Sequence, residues 1–178
     1  MLQFLLKALL TIVALLGGLG LLMPSHFEVQ RSLEMHGVPE DVYAVVGDLA
    51  TWDDWSPFTN RQDPGLSVTL SDDPMGESAF RRWRGPRLGT GELRITRYDE
   101  ESGVELSFQE PRRPPSQMTF QARQLENKVR MVEVTWIESG DLGWNPVYRW
   151  MGLVWLDEHS GRRMEKGLLE LRRVMREL

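Results

Sequence analysis

Val104–Trp136 reads VELSFQEPRRPPSQMTFQARQLENKVRMVEVTW. Three short runs in it alternate. Val104, Leu106 and Phe108 are separated by Glu105, Ser107 and Gln109. Met118, Phe120 and Ala122 are separated by Gln117, Thr119 and Gln121. Val132, Val134 and Trp136 are separated by Glu133 and Thr135. Successive side chains on a strand point to opposite faces, so each run presents one apolar and one polar face. Breakers at Pro111–Pro115 and at Glu126-Asn127 divide the runs. One-sided alternation over short links marks an antiparallel sheet with one face on a core.

The pattern extends toward the N-terminus. Val68–Leu70 and Ser78–Arg84 read as strands, the second bounded by Gly76 and Gly85. Leu93 and Ile95 alternate with Arg94 and Thr96 after a Gly89-Thr90-Gly91 turn. Phe80 and Trp83 have opposite parity and could both face inward only across a bulge. Phe27, Val29, Arg31, Leu33 and Met35 share one face of a further strand. Between that strand and the meander, Pro39-Glu40-Asp41 has the form of a first helical turn, with proline near N1 and carboxylates at the positive end of the dipole. Val42, Val45, Val46 and Leu49 supply its apolar stripe; the helix breaks around Asp48–Ser56, and Pro57 closes the segment.

Toward the C-terminus the period changes from 2 to 3.6. Asn145-Pro146 is a cap and N1 pair, and Tyr148, Met151 and Trp155 give a short apolar face. Ser160-Gly161 is expected to interrupt the helix. Met164, Leu168, Leu171, Met175 and Leu178 then recur at helical spacing opposite Arg162, Lys166, Arg173 and Glu177. Gly167 costs a helix about 1 kcal/mol against alanine and reads as a close approach to the sheet.

Leu2–Met23, LQFLLKALLTIVALLGGLGLLM, is apolar all round. A helix of that length spans about 33 Å, the thickness of a bilayer core. No small-x-small cleavage site with alanines follows it, and a buried core helix would be apolar on one stripe only. The reading is a retained anchor over residues 1–23, with Lys7 snorkelling to the interface. Lys7 and the amino terminus put positive charge before the span, which places the rest of this single-pass membrane protein outside the cytoplasm.

The net charge is −5, and Lys7 is the only charged side chain among residues 1–23, so the remainder is acidic. A nucleic-acid partner, which needs a basic face, is not expected. The absence of cysteine excludes thiol catalysis, cysteine zinc sites and disulfides. His26, His36 and His159 are scattered, and neither a metal nor a cofactor is expected. There is no Gly-rich phosphate loop, HExxH or Ser-His-Asp order.

The order of elements, with Arg31-Ser32-Leu33, Val38-Pro39-Glu40-Asp41-Val42-Tyr43, Asp48-Leu49 and Trp52-Asp53-Asp54-Trp55-Ser56-Pro57, resembles the opening of the polyketide cyclase/dehydrase and lipid-transport family of the START-like (SRPBCC) superfamily. Gly76, Trp83-Arg84-Gly85 and Gly89-Thr90-Gly91 resemble its central hairpin. Met164-Glu165-Lys166-Gly167-Leu168 with Leu171 resembles its terminal helix. The likeness covers about residues 27–178. It implies an α+β helix-grip fold, a curved antiparallel sheet around a long C-terminal helix, and a cavity between them that holds lipids, polyketides or other apolar molecules. It implies no single reaction.

Trp52, Trp55, Trp83, Phe108, Met118, Phe120, Trp136, Met164, Leu168 and Leu171 would line either that cavity or a solid core, since both demand the same alternation. Arg31 falls on the inward face of its strand, where it needs a carboxylate partner or an anionic ligand. His159, after Asp157-Glu158, is either a general base or a solvated loop residue. The Arg81–Arg87 cluster either meets phospholipid head groups or solubilises a hairpin. The expected function is a membrane-anchored domain binding a hydrophobic small molecule or lipid, without assigned catalytic residues. A cyclase or dehydratase on a polyketide-like substrate, or an interaction module with a filled core, are the alternatives.

Overall fold

The structure is a computed structural model that describes residues 1–111, 113–126 and 128–178. Asn127 and Arg112, in two of the expected links, lie outside the described residues. The elements run α1 (Leu2–Leu22), β1 (His26–His36), α2 (Pro39–Gly47), α3 (Trp52–Trp55), β2 (Ser67–Leu70), β3 (Phe80–Gly85), β4 (Gly89–Asp99), β5 (Gly103–Gln109), β6 (Ser116–Gln124), β7 (Met131–Asp141), α4 (Pro146–Met151), a π-helical turn (Gly152–Leu156) and α5 (Asp157–Val174). All seven strands form one antiparallel sheet in the order β1-β7-β6-β5-β4-β3-β2. This is the α+β helix-grip fold: the curved sheet wraps α5, and the apolar α1 precedes it.

The alternation decides which face is buried. Leu106, Phe108, Met118, Phe120, Val134 and Trp136 are wholly inaccessible, as are Met164 and Leu171 of α5. Arg31 faces inward with Val29 and Met35 on β1. Helix α2 starts on Pro39 and buries Val42, Val45 and Val46. Its Tyr43 hydroxyl donates to Ala122 O (3.1 Å) and accepts from Ala122 N (2.8 Å). β5 has ended at this point of β6, so the tyrosine satisfies a backbone edge that no strand pairs.

Three local expectations are corrected. The helix does not break at Ser160-Gly161: the π-turn carries α4 into α5, and Gly161 is a buried helical residue. A Cβ there would meet the Arg31 guanidinium, the far end of a flexible side chain. Gly89-Thr90-Gly91 is not a turn but the start of β4, with Gly89 paired to Gly85; the turn is Pro86–Leu88. No bulge brings Phe80 and Trp83 to one face. Trp83 and Arg81 face inward, while Phe80 turns outward beneath the guanidinium groups of Arg82 and Arg94.

Candidate functional site

The interior between sheet and helix is filled by aromatic rings. Trp52 and Trp55 lie 4.7 Å apart, Trp55 packs edge-on to Phe120 and Trp136, and Phe120 lies 4.6 Å from Trp136. Trp52 Nε1 donates to Val46 O (2.9 Å), which ties α3 to α2. Gly167 admits the Trp136 ring, since a Cβ there would lie 2.7 Å from it. Phe58 stacks on Trp83 and touches Phe108. Met118, Met164, Leu168 and Leu171 complete this packing. Of these candidates, Trp55 edges a small cavity of about 170 Å³ beside Pro57 and Gly167. Trp83 edges a shallow groove of about 700 Å³ on the sheet margin with Thr90 and Gln109. Arg31 is engaged by Glu165 (2.8 Å) and Asp157 (3.1 Å) on α5.

A larger cleft lies at one end of the grip. Its volume is about 740 Å³, within the range of small-molecule sites. The β3–β4 turn with the start of β4 (Pro86–Thr90) and the β5–β6 link (Glu110, Pro111, Arg113, Pro114) form two walls. Phe27 and Leu142 form the floor, and Tyr148, Met151, Gly152, Trp155, Leu156 and His159 form the third wall. Strand register explains the grouping: Phe27 and Ser116 both pair with Gly140, so the start of β1, the end of β7 and the β5–β6 link share one end of the sheet. Asp63 fixes the β3–β4 wall by accepting from the backbone N–H groups of Arg87 (2.8 Å) and Leu88 (2.9 Å). Burial pushes its carboxyl up, but those N–H groups and that of Gly65 outweigh it and hold it below the usual range.

Beneath the cleft a charged cluster separates it from the aromatic core. Glu138 on β7 is 0% exposed. It accepts hydrogen bonds from Arg113, from Ser116 Oγ (2.9 Å) and from Arg163 (3.2 Å). Glu110 adds a second carboxylate, 3.2 Å from Arg113 Nε and 3.9 Å from Arg163, so the two arginines are matched in charge. Both guanidinium groups lie over the Phe108 ring. Burial raises the Glu138 carboxyl, but the two arginines and the Ser116 hydroxyl overcome it and hold it below the ordinary carboxylate value.

His159 sits on α5 in the cleft wall with its ring stacked on Trp155, 4.0 Å between centroids. Partial burial, then the charges of Arg163 and Arg113, lower its pKa below the usual imidazole value. The ring is therefore neutral at physiological pH and can accept a proton or a hydrogen bond. It lies within a helix rather than in a loop. Among the described residues no group of three or more His, Asp or Glu side chains is placed to hold a metal ion.

Sequence reasoning overlooked Glu138 and placed Arg81 in a head-group-binding or solubilising cluster, which its burial corrects, although parity carried a signal for both. Glu138 continues the inward series Val132, Val134, Trp136, and Arg81 shares a face with Trp83. Arg81 is fully buried and donates to Asp53 Oδ1 (2.7 Å) and Phe58 O (3.2 Å), which clamps the α3 segment onto the sheet. Arg113 and Arg163 carried no such signal, because one sits in a link and the other beside a core methionine.

No protein-family model matches the chain, and no curated protein matches it. Solved structures do. A protein from Thermobifida fusca has a TM-score of 0.62 at 20% identity, with 83% of this chain and 92% of that one covered. The Aha1 dimer from Colwellia psychrerythraea has a TM-score of 0.58 at 15% identity, covering 83% and 95%. The di-domain ARO/CYC protein BexL from the BE-7585A biosynthetic pathway has a TM-score of 0.57 at 15% identity, covering 82% of this chain and 45% of that one. These likenesses are of fold: an α+β helix-grip architecture shared by proteins of different description.

Proposed function

We propose that residues 1–23 anchor the chain in a membrane and that residues 27–178 form a START-like domain that binds a hydrophobic small molecule or lipid. The helix Leu2–Leu22 is long and apolar enough to cross a bilayer. Under the positive-inside rule Lys7 leaves the domain on the extracytoplasmic side. The cleft carries the ligand reading. It is open where the rest of the interior is closed, and its lining is apolar (Phe27, Leu142, Met151, Trp155, Leu156) with a few polar groups, Arg113, Tyr148 and His159, to orient a ligand. The packed aromatic set, including Trp52, Trp55, Phe120 and Trp136, is the scaffold behind it.

Native mass spectrometry of the full chain released gently from detergent tests this reading. An apolar adduct is expected on the wild type, and Gly152→Trp, which fills the cleft, is expected to lose it. A protein that never retains an adduct and never takes up an apolar fluorescent probe would end the proposal.

His159 supports a second reading, a cyclase- or dehydratase-type enzyme, because it puts a neutral imidazole on the cleft wall. Under that reading His159→Gln retains an adduct whose mass differs from the wild-type adduct by the chemistry performed. Identical masses would leave binding alone.

A further inference from the structure

The end of α1 is bound to the domain on several sides. Arg149 of α4 is buried, and its Nη1 donates to Leu21 O (2.6 Å) and Met23 O (2.9 Å) at the C-terminus of α1. A cation there satisfies free carbonyls and complements the helix dipole. Its Nε donates to Gly143 O (2.8 Å), so one side chain joins α1 to the link before α4. Trp150 Nε1 donates to Leu16 O (3.0 Å). Gly20, buried in an otherwise exposed helix, lies against Pro146 and Trp150; a Cβ there would lie 2.7 Å from Pro146 Cβ. Only Met23, Pro24 and Ser25 separate α1 from β1, at most about 10 Å of chain. Ser25 O also accepts from Leu142 N (2.8 Å).

Helix α4 therefore lies alongside the last two turns of α1. Leu16 is six residues before Leu22, about 9 Å down the helix axis. The same segment also exposes large apolar groups. Trp144 is 81%, Val147 61% and Leu153 66% accessible. Met151 and Trp155 are also exposed, and both line the cleft. Water would leave this apolar surface unpartnered. Among its neighbours is α1, a helix with the length and composition of a membrane span.

We infer that α4 and the π-turn are half-inserted in the membrane interface beside α1, so that the cleft opens onto the bilayer and takes its ligand from the lipid phase. This rests on the anchor reading of α1. The depth agrees: interfacial helices bury an apolar face by about 5–10 Å, and tryptophan favours that zone. Strand register places the β3–β4 turn, the β5–β6 link and the start of β1 at the same end, so all walls of the cleft meet the membrane side. The β6–β7 turn lies some 11 residues of strand away, at the opposite end of the sheet.

The chain lacks cysteine, so single labelling sites can be introduced without background. The test uses the full chain in phosphatidylcholine vesicles, with a nitroxide on one of Ile12→Cys, Val147→Cys, Met151→Cys, Leu153→Cys or Val129→Cys. Accessibility to oxygen is compared with accessibility to a water-soluble nickel chelate. The oxygen-to-nickel ratio at positions 147, 151 and 153 is expected severalfold above that at 129, and below that at 12. Ratios at 147 and 153 equal to that at 129 overturn the inference; position 12 then tells whether the anchor reading stands or falls with it. A lipid-like 147 and 153 with an aqueous 151 overturns the opening of the cleft onto lipid.

Discussion

One sheet and one helical run build two ends of different character. At the far end α5 seals against β1, β7 and α3, and Trp52, Trp55, Phe120 and Trp136 leave almost no space. At the end next to α1 the helical run stands off, and the space becomes a cleft of about 740 Å³. Distance of approach makes the difference. Gly167 lets α5 settle on the Trp136 ring. Near the cleft a π-turn shifts the register of the helix and turns Met151 and Trp155 toward open space. Glu138, Arg113 and Arg163 form the boundary, a polar layer that reaches the cleft wall through Arg113 and the aromatic packing through Phe108. A grip of this kind can be solid and hollow within one domain.

The largest expected effect breaks the sealed end. Trp136→Ala removes a ring in contact with Trp55, Phe120 and the backbone at Gly167, and costs about 3–5 kcal/mol in denaturant unfolding. A loss below 1 kcal/mol would show that the far end is not the tightly packed one.

The boundary layer comes next. Glu138→Gln leaves two buried guanidinium groups without their central charge and costs about 3 kcal/mol, the low end for a broken buried pair because the amide still accepts a hydrogen bond. The effect depends on pH. The Glu138 carboxyl is held below its ordinary value, near 4.5. Its contribution is complete above that pH and is lost as the pH falls through the lowered folded value. The gap between wild type and Glu138→Gln therefore narrows on acidification, and urea unfolding at neutral pH and near pH 3 measures it. A constant gap would remove the ion cluster from the account.

The two helical glycines sharpen the contrast. Gly167→Ala meets the rigid, buried Trp136 ring and costs about 1–3 kcal/mol, despite the better helix propensity of alanine. Gly161→Ala meets only the end of Arg31, which can swing aside from partly exposed partners worth at most about 1 kcal/mol, so the helix gain offsets the loss and the change falls within about 0.5 kcal/mol. Equal effects at the two positions would mean that α5 approaches both ends alike.

The smallest stability effect lies in the cleft. Met151→Ala is expected to change unfolding by under about 0.5 kcal/mol, as exposed sites do. It should weaken uptake of an apolar fluorescent probe severalfold. A stability loss as large as that of Trp136→Ala would place Met151 in the packed interior instead.

Much of the fold was legible in the residues themselves, for a local reason. The periods of strand and helix are properties of the backbone, so alternation at Val104–Trp136 and 3.6-residue spacing at Met164–Met175 already stated which side chains face inward. Leu178 shows the limit: it keeps the spacing of that stripe but lies past the end of α5, 80% exposed. The N-terminal run declared its length and its apolar character in the same way. What periodicity could not say is whether inward-facing groups meet, because a wall and a core need the same pattern. Contact depends on how closely the helix approaches the sheet, and that was settled by pairs remote in sequence: Gly167 with Trp136, Gly161 with Arg31, Glu138 with Arg113 and Arg163, Arg149 with the end of α1. Local pattern sets the direction of a side chain. Only the assembled chain sets its neighbour, and the cleft exists where neighbours are missing.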